Sequence, residues 1–146
     1  MNGRRAVRVG VGDALPELVV PVTATLIVAG AIASRDYQDV HHDADLARRR
    51  GMPGIFMNIL TTNGLVGRFV TDWAGPDAVV RRIAIRLGVP NFAGDTMRLT
   101  GRVVAVTAAG PEDVVDVDVV GRNGLGDHVT GTVTVALPAP LPREAG

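Results

Sequence analysis

Residues 34–45, SRDYQDVHHDAD, gather four aspartates and two adjacent histidines into twelve positions of a chain that is otherwise largely apolar. A metal site would draw on His41, His42, Asp36, Asp39 and Asp43. Adjacent histidines in a loop point apart, however, and the i,i+4 spacing that puts two imidazoles on one helix face is missing. The only other histidine, His128, follows a turn far along the chain and reads as a strand-edge polar residue. No metal is expected. A nucleophilic set is no better supported, because Ser34 is the only serine and no nucleophile elbow surrounds it. What remains is acid/base work. Asp36 and His41 lie five residues apart in a segment that leaves a helix and turns, so both can reach one pocket and hold one water molecule. An imidazole suits that task because it titrates near neutrality. The competing reading has Asp36 capping backbone amides at the helix end and His41 packed on the surface. On spacing alone that plainer reading is the stronger.

The elements that must position these groups follow from pattern. Upstream, LVVPVTATLIVAGAIA (18–33) is broken by Pro21 and is too short to cross a bilayer. It divides into a strand over 18–22 and a helix capped by Thr23 or Thr25, with Ala24, Ile27, Val28 and Ile32 facing the core. Downstream, MNILTTNGLVGRFVTDW (57–73) forms a second helix whose stripe is Ile59, Leu60, Val66, Phe69, Val70 and Trp73, ended by Gly75-Pro76. Gly64 and Gly67 cost about 1 kcal/mol each against alanine, which suggests close sheet packing on this helix. ARRRG (47–51) reads as a solvated helix end. The second half alternates: 81–87, 96–106, 113–120 and 127–137 are strands, the last three an antiparallel meander joined by AAGPED and GRNGLGD. The fold class is α+β, one antiparallel sheet curling around a buried helix.

Composition bounds the rest. The 146 residues make a single domain over 1–146, with about ten N-terminal and about eight C-terminal residues expected to fray. Apolar residues make up 47% and aromatics 3%, so the core is aliphatic. Fifteen basic side chains balance fifteen acidic ones, which leaves no electrostatic footprint for nucleic acid or an anionic membrane. Cysteine is absent, and MNGRRAVRVG lacks the apolar core of a signal peptide, so a soluble cytoplasmic protein is expected.

Arg35-Asp36-Tyr37-Gln38-Asp39-Val40-His41-His42-Asp43 resembles the motif G-D-x-N-P-x-H-x-D of the MaoC-like, hotdog-fold (R)-specific enoyl-CoA hydratases. IFMNILT (55–61) stands where that family has I-x-H-G-M-L-T, and Gly94-Asp95-Thr96 matches its G-D-T/E entry into a strand. The resemblance covers most of the chain. It implies a hotdog fold, with Asp36 and His41 as the catalytic residues, Asp43 supporting the loop and His42 at a variable position. It implies no cofactor and an acyl-CoA thioester substrate. It also implies that the backbone N–H of Asn58, at the start of the central helix, binds the thioester oxygen, where free amides and the helix dipole favour negative charge. Gln38, Asp39, Met57 and Asn58 depart from the family's Asn, Pro, His and Gly.

ASRDYQDVHHD, IFMNILT and RFVTDWAGP together are similar to the small MaoC-like subunits of actinobacterial steroid side-chain enoyl-CoA hydratases. That implies a steroid enoyl-CoA substrate, as in cholesterol catabolism, and a hetero-oligomer with a second MaoC-like chain; a homodimer is the alternative. Thr62, Gly64 and Gly67 are compatible with making room for rings. Arginines 48–50, Arg81 and Arg86 are candidates for CoA phosphates that sequence does not rank. Two other functions stay open: a hotdog acyl-CoA thioesterase, and a non-catalytic subunit supporting a catalytic partner.

Overall fold

The computed structural model describes residues 8–139, and the two ends expected to fray fall almost wholly outside them. Strand β1 (Leu18–Pro21) leads into α1 (Ala24–Ala33), then a 3-10 turn (Asp39–His41), α2 (Ala44–Arg49) and the long α3 (Ile59–Ala74). Strands β2 (Val79–Leu87), β3 (Thr96–Ala109), β4 (Glu112–Asn123) and β5 (Gly126–Pro138) follow. The sheet runs β1-β3-β4-β5-β2 and every pair is antiparallel, so β3-β4-β5 is the expected meander. The sheet wraps α3, which is the hotdog arrangement.

Alternation explains which sheet face meets the helix. In β5, Val133 and Val135 are fully buried, while Thr132 and Thr134 face out and donate to Asp118 and Asp116 of β4 at 2.7 and 2.6 Å. From α3, Val66, Phe69 and Val70 meet that apolar floor, each stabilising the fold by about 1.5–3 kcal/mol through burial. Ile59 and Leu60, expected in the stripe, are instead 49% and 50% exposed, because the first turn of α3 precedes the sheet's cover. A Cβ on Gly67 would come 3.3 Å from Ile83 of β2, as sheet packing requires, whereas one on Gly64 would meet nothing within 4 Å. In α1, Ile27 and Ala31 are buried while Ala24 is exposed and Ile32 is 57% exposed. Nearly every residue of that helix is apolar, so periodicity gave no contrast to read.

The two edges differ. Along β3, residues 12–15 continue the line of β1, with a bridge between Ala14 and Arg102. Strand β2 pairs with β5 on one side and with no strand on the other among the described residues, which leaves a row of backbone donors and acceptors open.

Candidate active site

Helix α1 ends in a Schellman motif: Arg35 N donates to Ile32 O at 3.0 Å and Asp36 N to Ala31 O at 2.9 Å. The motif needs a left-handed residue at Arg35, whose φ is 57°, a conformation that costs a side-chain-bearing residue about 1–2 kcal/mol. The reversal carries Asp36 back toward the fold. The 3-10 turn then returns His41, so that His41 Nε2 lies 3.3 Å from Asp36 Oδ2, with side chains 7% and 17% exposed. The surface packing offered as the plainer reading of His41 is thus overturned. Nor does the Asp36 carboxylate cap the α1 end; its Oδ1 sits 3.4 Å from Gln38 N.

The imidazole is held from behind. Its Nδ1 is 2.7 Å from the carbonyl of Phe56, and the Phe56 ring meets it edge-on at 5.0 Å. A carbonyl only accepts, so Nδ1 carries a hydrogen and Nε2 is the nitrogen that exchanges protons on the Asp36 side. Phe56 is itself tied to the sheet side: Phe56 bridges Phe92 and Met57 N donates to Asn91 O at 2.9 Å.

Asn58 caps α3, its Oδ1 accepting from Thr61 N at 3.1 Å and Thr61 Oγ1 at 2.6 Å. Its Nδ2 donates to Ser34 Oγ at 2.9 Å and to Asp36 Oδ2 at 3.1 Å. Ser34, excluded as a nucleophile, instead donates to Gly30 O at 2.7 Å. The Asn58 backbone N–H has no partner within the chain among the described residues and sits at the start of α3, where the helix dipole is positive. The sequence pattern starts this helix at Met57 and assigns the Asn58 side chain no cap; an asparagine just before an apolar-periodic run was the available signal.

A cavity of about 210 Å³ opens beside these groups, lined by His41, Phe56, Met57, Asn58, Ile59, the segment 87–90 and His128. Asp36 is reached through His41 and Asn58 rather than forming the wall. His128, read from sequence as a strand-edge residue, is buried in the interior of the sheet. Gly121 pairs with Val129 and Arg122 with Asp127, so His128 is the extra residue of a bulge, and bulges re-aim side chains. Its Nδ1 donates to Val89 O at 2.6 Å and its Nε2 accepts from Thr62 Oγ1 at 2.8 Å. Burial lowers the His128 pKa below its ordinary 6.5, against the raising effect of the Val89 carbonyl. Thr62, Gly64 and Gly67, considered as space for rings, do not line this cavity.

The remaining residues of residues 34–45 have structural partners or face solvent. Asp43 caps α2, accepting from Asp45 N and Leu46 N at 3.0 Å. Asp39 pairs with Arg50 at 2.7 Å, and His42 is exposed. Arg48 and Arg81 are paired with Asp45 and Glu112. A larger recess of about 430 Å³ has Arg48 as its one charged lining residue and holds none of the acid/base groups. Among the described residues no three metal-ligating side chains gather, and no helix is long and apolar enough to cross a membrane.

A family model described as the MaoC like domain matches residues 12–123. The 3-oxo-4,17-pregnadiene-20-carboxyl-CoA hydratase beta subunit of Mycobacterium tuberculosis is 53% identical over 127 residues, 87% of this chain and 95% of that protein. A chain of the ChsH1-ChsH2 complex from Mycobacterium tuberculosis superimposes with a TM-score of 0.85 at 52% identity, over 89% of this chain and 99% of that one. The (R)-hydratase from A. caviae involved in PHA biosynthesis shares the fold, with a TM-score of 0.80 at 20% identity over 89% and 98% of the two chains.

Proposed function

The chain belongs to the MaoC-like domain family, and from that premise we propose that it is an enoyl-CoA hydratase subunit that adds water across the 2,3 double bond of a steroid side-chain 2-enoyl-CoA. The observation that carries the reading is the 3.3 Å approach of His41 Nε2 to Asp36 Oδ2 beside the free amides of the α3 N-terminus. Water held by Asp36 and His41 gives up a proton to one of them as its oxygen bonds to the β-carbon. The π electrons of the double bond move toward the thioester, and the Asn58 backbone N–H receives the charge developing on its oxygen. A proton delivered to the α-carbon completes the addition. Nothing in this balance requires a cofactor.

The substrate class is supported by the name of the mycobacterial relative and by the apolar wall of Leu87, Val89, Pro90 and Phe56, which suits fused rings better than a charged group. The cavity is small beside the roughly 300–1,000 Å³ of ordinary ligand sites. A CoA thioester of a steroid therefore needs further walls. The open edge of β2 ends at Leu87, on the cavity rim, where Ile59 also stands half-exposed. A second MaoC-like chain pairing there would extend the pocket, in keeping with the two-component complex found for the relative. We take the assembly to be a heterotetramer in the cytoplasm.

The test is kinetic. The chain, alone and co-expressed with a second MaoC-like chain, is assayed by loss of the enoyl-thioester absorbance, with light scattering giving the mass of the active species. Asp36→Asn and His41→Ala are each expected to lower kcat by about 10²- to 10⁴-fold. Hydration within a few-fold of wild type in both variants would overturn the reading, and release of free CoA in place of hydration would make the protein a thioesterase.

A further inference from the structure

Asn58 is 2% exposed and all four of its amide hydrogen-bonding valences are used. The orientation of that amide is forced. Thr61 N–H can only donate, so the atom facing it at 3.1 Å is Oδ1, and Nδ2 must turn the other way. There, one of its hydrogens meets Ser34 Oγ, whose own hydrogen is committed to the Gly30 carbonyl. The other meets Asp36 Oδ2. In this contact Asp36 Oδ2 is the acceptor. The donor also fixes the rotamer that keeps Oδ2 against His41 Nε2.

We propose that the Asn58 side chain is a positioning residue for the hydration: its Nδ2–H holds Asp36 Oδ2 turned toward His41. This rests on the hydratase reading above. It gives the side chain a task separate from the backbone N–H of the same residue, which serves the thioester oxygen. The groups that meet Asp36 are His41 from the 3-10 turn, Ser34-linked Asn58 from α3 and the Gln38 amide. Among them only His41 titrates, and Arg35, next to Asp36 in the chain, is exposed.

Asn58→Ser tests this, because serine caps a helix about as well as asparagine and keeps the backbone N–H, but is too short to bridge to Asp36. The measurement is kcat and KM for the 2-enoyl-CoA that the wild-type assembly hydrates, with thermal unfolding as the check on folding. The expected result is an unchanged KM and a kcat about 3- to 10-fold lower, since the donor that aims Oδ2 has been lost. Asn58→Asp keeps the capping oxygen but sets a second carboxylate against Asp36, and is expected to lower kcat more. If Asn58→Ser unfolds, Asn58→Gly, which costs a helix cap only a few tenths of a kcal/mol, is read in its place. A kcat within about two-fold of wild type in the folded variants, or a loss carried by KM instead, overturns the positioning role while leaving the hydratase reading intact. A wild-type assembly without hydratase activity overturns the hydratase reading instead.

Discussion

Gly30→Ala separates the part of the fold that aims the catalytic groups from the part that merely holds the domain together. A Cβ on Gly30 would lie 2.2 Å from Thr61 Oγ1, 2.9 Å from Thr61 Cγ2 and 3.1 Å from Thr61 Cβ. Rotating Thr61 does not relieve this, because its Cβ is fixed by the backbone and is already inside the usual 3.5–4.0 Å separation of carbon atoms. Helix α1 must therefore move from α3 by roughly 0.5–1 Å. Overpacking of this kind costs about 1–3 kcal/mol, offset by about 1 kcal/mol from replacing a helical glycine with alanine. The net loss of stability is about 0–2 kcal/mol, a fall in Tm of up to about 8 °C. The catalytic effect is larger. Ser34 and Asp36 ride on the end of α1, while Asn58 and Thr61 belong to α3, so the bonds at 2.9 and 3.1 Å between them stretch beyond hydrogen-bonding range. Misplacement by an ångström costs up to about 10²-fold in rate, and a 10- to 100-fold fall in kcat/KM is expected from a protein that still melts cooperatively. Gly64→Ala is the control, since its Cβ meets nothing within 4 Å and alanine there is expected to add about 0.4–1 kcal/mol to the stability of the chain. Enoyl-CoA hydration and thermal unfolding are measured on both. The reasoning fails if Gly30→Ala hydrates like wild type and is stabilised as much as Gly64→Ala.

Three further outcomes are expected. Arg35→Gly removes the side chain from a left-handed position and is expected to raise stability by about 1 kcal/mol, seen as a Tm higher by a few degrees; a lower Tm would show that the arginine makes a compensating contact. His128 has its pKa lowered in the native state, so below pH 6.5 the unfolded chain binds a proton that the native chain refuses. Its stabilising contribution is complete above pH 6.5 and declines as pH falls from there toward the lowered native value. Urea unfolding at several pH values is expected to give a steeper loss for wild type than for His128→Gln, and parallel curves would refute the assignment. Asp43→Ala removes the α2 cap and is expected to cost about 1 kcal/mol in the same urea assay.

The meeting of Asp36 and His41 was legible because the two sit five residues apart, and the meander because valine and threonine alternate along β5. The partners of that pair were not. Phe56 and Asn58 reach His41 and Asp36 across 15 and 22 residues, distances that only the packing of α1 on α3 defines. Ile59 and Leu60 look like core by type, yet they precede the part of α3 that the sheet covers. His128 lies on a bulge, so counting by twos along its strand assigns it to the wrong face. Gly30 carries a tight demand on the site, but within a nearly all-apolar helix it looks no different from an alanine.

Asp36 and His41, and each hydrogen bond that aims them, come from residues 30–61. The facing wall of the cavity is contributed by residues 87–90 and His128. The groups proposed to activate water and most of the facing wall thus come from separate stretches of chain, joined by the Thr62–His128 hydrogen bond, the Met57–Asn91 backbone bond and the Phe56–Phe92 bridge. Insertions or substitutions that re-shape the turn after β2 are expected to admit a differently shaped acyl group while the loop of Asp36 and His41 keeps its geometry. Such a division lets a lineage explore new substrates without first losing its chemistry.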